Sequence, residues 1–330
     1  MKTALSRSSA AAGAGAAVLA QLFYKMTVDT SGVLNGAWLS AIVGLVLALP
    51  VIWLIGRLRP RSGLLAPALL VFSLLDAASA MECIGFSASW LAFTHVPVLA
   101  LMLPLALATL RCTALGGDAI GASARVWMWV LAALMAVVIA YQLPYYHPAW
   151  VFPLLGDSAA EVPRMGLRAA GWIVTPVSAA MLLCDEAPRA RRVLLCCAVA
   201  VAAAAALILL RLMMAPTAGE LGLSRMVRID ALLTNGRAPL YLQLPMTVIW
   251  FVAMLHLLCF EGFASAALAK KCVPVLPDWT CGAAATVVVF ALAAAQCFDA
   301  SAVKLISDYR LPLLLLLALP CLRREARAHA

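Results

Sequence analysis

The sequence predicts an all-α integral membrane protein with about ten transmembrane helices. Composition is the first ground: 65% of the residues are hydrophobic and 12% charged, and the mean hydropathy is +1.01, which leaves too little polar surface for a water-soluble fold. The second is the recurrence of apolar runs of about 20 residues, bounded by charge, Gly or Pro. No stretch between them is long enough for a soluble domain, so residues 1–330 read as a single polytopic membrane domain.

Taken in order, the predicted spans lie near 10–28, 37–56, 64–92, 96–115, 124–143, 165–184, 193–215, 242–269, 280–298 and 309–322. The first is mostly Ala and Gly. With Lys2 and Arg7 ahead of it, it also has the form of a secretory signal peptide. It runs into Phe23, Tyr24 and Lys25 rather than a small-x-small cleavage site, so a retained first helix is the better reading. Beyond it, Lys25 and Asp29 have the spacing of an interfacial i,i+4 pair. The last run is short and contains Pro312 and Pro320. Trp38, Trp53, Trp90, Trp127, Trp129 and Trp279 fall at span edges, as an interfacial aromatic belt requires, whereas Trp172 and Trp250 lie deeper.

Loop charge sets the orientation. Fifteen of the 24 basic residues fall on one side of the ten-span arrangement, including Arg57, Arg59, Arg61, Arg189, Arg191, Arg192, Lys270 and Lys271. By the positive-inside rule both termini are cytoplasmic. The net charge of +9 is therefore a topology signal, and without a contiguous basic face it does not indicate nucleic acid. Ten cysteines occur without a C-x-x-C. Most, such as Cys83, Cys196, Cys197, Cys259 and Cys297, sit inside apolar runs and read as small hydrophobes. No G-x-S-x-G, H-E-x-x-H, Walker A or dinucleotide fingerprint is present, and His95, His147, His256 and His329 are scattered. The reading is therefore neither an enzyme nor a metal or cofactor protein.

An ionisable side chain in hydrocarbon costs at least about 2.5 kcal/mol, so the few intramembrane ones are the functional candidates. Asp76 lies mid-way along the third span, on one stripe with Ser73, Ser79, Cys83 and Ser87 that is predicted to face the bundle interior. Glu82 points about 110° away from that stripe. Glu261 lies in the eighth span, with His256 about 140° round the helix, so the two serve different neighbours. Glu261 reads either as a proton or cation site or as the partner of Arg211 or another buried base. His256 reads as a core histidine bonded to a backbone carbonyl. In the sixth span, Gly171, Thr175, Pro176 and Ser178 mark a candidate helix break, because Pro removes a backbone donor and frees a carbonyl. The alternative is a plain proline kink whose backbone the hydroxyls satisfy. As a ligand-site carboxylate, Asp76 carries the expectation that Asp76→Asn reduces ligand response with little loss of membrane expression.

Three stretches together resemble the B-subunit family of spore germinant receptors, members of the amino acid, polyamine and organocation transporter superfamily. They are Asn35-Gly-Ala-Trp-Leu-Ser-Ala-Ile-Val-Gly44, similar to the family's entry into its second helix; Tyr146-His-Pro-Ala-Trp-Val-Phe-Pro-Leu-Leu-Gly-Asp157, similar to its external segment before the sixth helix; and Leu311-Pro with the leucine run to Cys321-Leu-Arg-Arg324, similar to its C-terminal helix and basic tail. The resemblance implies a LeuT-like fold of inverted five-helix repeats, here roughly 10–143 and 165–322, with a small-molecule site between the first, third, sixth and eighth helices. It places Asp76, Ser79, Gly171, Thr175, Ser178 and Glu261 on or near that site. The departure is at the N-terminal end, where Asp29-Thr-Ser-Gly32 runs almost directly into the second span and makes the first helix look shortened.

The function implied is that of a spore germination protein. It would be a membrane subunit that binds a small amino acid or similar nutrient and signals to A-type and C-type receptor subunits in the bacterial inner (spore) membrane. The alternative is a proton- or sodium-coupled secondary amino-acid transporter using the same pocket, with Asp76 or Glu261 as coupling group. A scaffold without a ligand is the third reading.

Overall fold

In a lipid-facing helix every backbone group is satisfied within its own segment, so apolar runs of this length fold as helices and little else. The computed structural model describes residues 5–28, 34–58, 65–91, 93, 95–155, 159–184, 190–214, 240–299, 301, 305–306 and 309–318. The helices are α1 (Arg7–Val28), α2 (Ala37–Leu58), α3 (Leu65–Leu91), α4 (Val98–Leu115), α5 (Gly117–Gln142), α6 (Glu161–Leu183), α7 (Ala190–Met214), α8 (Leu240–Cys272) and α9 (Asp278–Phe298). A tenth, α10, covers 310–318. Eight of them, α2 to α9, are long and apolar enough to cross a membrane. Asp29, on which the predicted Lys25 pair depends, lies outside the described residues, as does the Arg211 side chain.

The predicted spans and observed helices agree within a few residues except at α5, which starts at Gly117 rather than near 124. Gly116 is the cause: its φ of 88° reverses the chain between α4 and α5 in a single residue, a conformation open to glycine at little cost. Asp118 and Arg125, which look like loop charges in the sequence, are thus the first turns of a helix.

Packing sorts the helices into two groups. In one, α1 and α2 lie against α6 and α7; in the other, α3 and α4 lie against α8 and α9. Helix α1 also meets α8, and α5 covers α1 and α8 from outside. Small residues set the closest approach, as membrane interfaces favour. A Cβ on Gly44 of α2 would lie 2.6 Å from the Ala169 Cβ of α6, and one on Gly166 would lie 2.6 Å from Val43. Burial follows this order. Within the apolar window of each helix, 89% of α6 and 78% of α3 is buried, against 17% of α4 and 11% of α5. Helices α3 and α6 are therefore central, and α4 and α5 face lipid.

At the end that charge counting assigns to the cytoplasm, the chain is drawn together. The Leu5 amide donates to the Leu183 carbonyl (2.9 Å), the Ser6 amide donates to Asp118 Oδ1 (2.9 Å), and Lys271 Nζ donates to the Leu182 carbonyl. These bonds tie the start of α1 to the ends of α6 and α8 and the start of α5.

Candidate functional site

The candidate site begins with α3, whose predicted polar stripe is buried along its whole length: Ser73, Asp76, Ser79, Cys83 and Ser87 are each 5% exposed or less. Such a carboxylate needs a partner, and the structure supplies one from the far end of the chain. Arg310, at the first turn of α10, is 2% exposed. Its Nη1 donates to Asp76 Oδ2 (2.6 Å) and its Nη2 to Asp76 Oδ1 (3.0 Å). This two-pronged, charge-assisted geometry is the strongest that a guanidinium makes. Phe72, one turn before Asp76, puts its ring centre 5.1 Å from the guanidinium carbon, a cation–π contact in a water-poor setting.

Helix α6 closes the opposite side. Arg310 Nη1 also donates to Thr175 Oγ1 at 3.4 Å, and the Arg310 stem runs over Gly171, where an added Cβ would lie 3.3 Å from Arg310 Cβ. Thr175 in turn donates to the Gly171 carbonyl (3.0 Å). Of the two readings of this segment, the helix break is absent: α6 is a continuous helix from Glu161 to Leu183, with Pro176 inside it. Pro176 removes the donor that would meet the Trp172 carbonyl, and the helix continues past it because the surrounding buried helices hold it in place.

Glu261 of α8 is fully buried, adjoined by the Ser73 hydroxyl and within electrostatic reach of Asp76 and Arg310. Neither of its carboxyl oxygens completes a hydrogen bond among the described residues. The centre thus holds two carboxyl groups and one guanidinium. The guanidinium is committed to Asp76.

Of the six residues singled out in the sequence, four therefore converge on one place: Asp76, Gly171, Thr175 and Glu261. Ser79 lies a turn along α3 and donates instead to Gln296 Oε1 of α9 (3.1 Å). Ser178 is buried and makes no hydrogen bond to the cluster or elsewhere among the described residues. His256 serves a different neighbour, as its angle predicted; its ring is bonded to the Gly13 carbonyl of α1 and stacks on Phe260 at 6.5 Å.

Arg310 is the residue that sequence reading missed. It lies at the start of the last predicted span, 309–322, and is absent from the intramembrane ionisable candidates. A signal was available, because a single Arg directly before Leu311-Pro312 and a leucine run sits where a short helix could carry it inward.

No protein-family model matches the chain, and no curated protein matches it. Solved structures do. A histidine-to-alanine mutant of the Eremococcus coleocola manganese transporter shares 17% identity, covering 95% of this chain and 77% of that one with a TM-score of 0.55. The same transporter in complex with an aromatic bis-isothiourea substituted compound gives 15%, 93%, 74% and 0.56. MhsT in complex with L-phenylalanine gives 14%, 93%, 78% and 0.51. At these identities the likeness is one of fold, and the fold of this chain is the LeuT-like fold of membrane transporters.

Proposed function

We propose that this protein binds a small zwitterionic nutrient, an amino acid or a close analogue, between α3, α6, α8 and α10, and works as a proton-coupled secondary transporter. The observation that carries the reading is Glu261. A fully buried carboxyl that completes no hydrogen bond among the described residues is costly as an anion in a membrane interior and comfortable as a neutral acid, so it is suited to take up and release a proton as its surroundings change. Asp76, already neutralised by Arg310, is poorly suited to that role. The committed guanidinium also argues against a divalent metal ion as cargo, since a fixed positive charge opposes it at short range. One structural neighbour is in complex with L-phenylalanine, which supports an amino acid as ligand. Asp76, Thr175, Glu261 and Arg310 are the residues assigned to the site. Repeats near 10–143 and 165–322, cytoplasmic termini and a bacterial inner membrane belong to the same reading.

A second reading is favoured by the ion pair itself. Asp76 and Arg310 join α3 to α10 and touch α6, and a bond of that strength across the centre suits a protein that switches on ligand binding more than one that turns over rapidly. In this reading the chain is the membrane subunit of a spore nutrient germinant receptor and signals to A-type and C-type subunits, as the three resembling stretches imply. Ligand would shift the bundle by its difference in affinity for the two states.

The test is parallel binding and uptake of a labelled amino-acid panel by purified protein in proteoliposomes, with and without a pH or sodium gradient. Uptake driven by a pH gradient, lost in Glu261→Gln while binding persists, is the expected result. Saturable binding without uptake under either gradient selects the receptor. Sodium-driven uptake that Glu261→Gln leaves intact removes Glu261 from coupling.

A further inference from the structure

A second chemical feature lies on the other side of α8. Cys259 is two residues from Glu261, about 200° round the helix, so it faces α4 rather than the centre. Gly262 allows α4 to cross closely there: an added Cβ would lie 2.4 Å from Thr109 Cγ2. One turn from that crossing on each helix, the side chains of Cys259 and Cys112 adjoin one another. Both cysteines line a cavity of ≈ 260 Å³ together with Ser123, Trp127, Leu255 and His256. Trp127 (43% exposed) and Leu255 (38%) stand at its lipid-facing side, so membrane-soluble molecules have a way in.

We propose that Cys112 and Cys259 form a reversible redox pair, oxidised by a small or lipid-soluble hydroperoxide to a disulfide that ties α4 to α8. Cys112 is the less buried of the two, so its sulfur reacts first. It attacks one peroxide oxygen; the O–O bond breaks, an alcohol (or water, from hydrogen peroxide) leaves with the thiol proton, and Cys112 becomes a sulfenic acid. The Cys259 sulfur then attacks Cys112 Sγ. The S–O bond breaks, the S–S bond forms, and water leaves with the second proton. Two thiols and one hydroperoxide give one disulfide, one alcohol and one water, a two-electron oxidation of the thiols matched by reduction of the peroxide. A dithiol reverses it by exchange.

Adjacency in sequence does not give this arrangement. Cys196 and Cys197 are neighbours on α7, and successive residues of a helix point about 100° apart, which prevents a bridge without unwinding. Helices α4 and α8 belong to the same packing group, so the bond stiffens that group and leaves the Arg310–Asp76 pair in place.

The experiment is peptide mass spectrometry on the purified full chain in nanodiscs, treated with tert-butyl hydroperoxide and then alkylated with N-ethylmaleimide. The expected result is a Cys112–Cys259 cross-linked peptide that dithiothreitol abolishes, that is absent from Cys112→Ser and Cys259→Ser, and that accompanies a rise in Tm. The wild-type sample decides the matter even if a variant fails to fold. Alkylation of both cysteines after peroxide, oxidation of Cys112 to a sulfinic acid without a cross-link, or a bridge from either to another cysteine overturns the proposal.

Discussion

Arg310 and Asp76, 234 residues apart in sequence, face each other in the core through two hydrogen bonds of 2.6 and 3.0 Å. Taking two charges out of water is costly, and the pair offsets that cost only while both partners are present. Asp76→Asn or Arg310→Ala should therefore destabilise the protein by about 3–5 kcal/mol, whereas a double replacement by apolar residues of similar size should recover most of the loss. Unfolding in detergent for the two singles and the double gives the coupling, and strict additivity would show that the pair carries no mutual energy. This replaces the expectation from sequence alone that Asp76→Asn lowers ligand response at little cost to expression, because the asparagine strands a buried guanidinium.

Glu261→Gln keeps the shape of the side chain and removes its titration. With no hydrogen bond lost among the described residues, folded stability should change by less than about 1 kcal/mol, while any pH dependence of ligand binding or uptake flattens. A binding curve measured at several pH values in wild type and variant is the check. A variant that keeps the wild-type pH profile would place the titrating group elsewhere.

Thr175 serves two partners, donating to the Gly171 carbonyl and accepting from Arg310. Thr175→Val is nearly isosteric and removes both bonds, so a loss of about 1–3 kcal/mol is expected. Thr175→Ser, which retains the hydroxyl, should recover most of it in the same melting assay.

The α2–α6 contact has no room for a side chain at Gly44, where an added Cβ would lie 2.6 Å from Ala169 Cβ. Gly44→Ala should cost about 1–3 kcal/mol by overpacking. Combining it with Ala169→Gly should restore much of the stability, which thermal unfolding of the four proteins in a mutant cycle reads directly.

At the start of α1, Asp118 Oδ1 holds the Ser6 amide. Asp118→Ala should loosen the start of α1 and raise the labelling rate of a Ser6→Cys probe by a water-soluble maleimide several-fold, a local opening of about 1 kcal/mol. An unchanged rate would mean that the Leu5–Leu183 bond suffices alone.

The sequence by itself determined the class of the protein, the edges of most helices and the identity of the central acidic groups. Hydropathy acts locally, and a lone Asp or Glu in an apolar run is costly wherever it ends up. Asp76 with its serine stripe, and Glu261 as a member of the centre, were legible for that reason. Tertiary structure decided what those groups meet. Arg310, at the very start of the last predicted span, was not legible as a core residue because its burial depends on α10 lying across α3 and α6. The continuity of α6 through Pro176 likewise depends on the buried helices packed around it, and the single-residue turn at Gly116 depends on a positive φ. Partnership is a property of distance in space, and chain order constrains it only weakly once ten helices pack together.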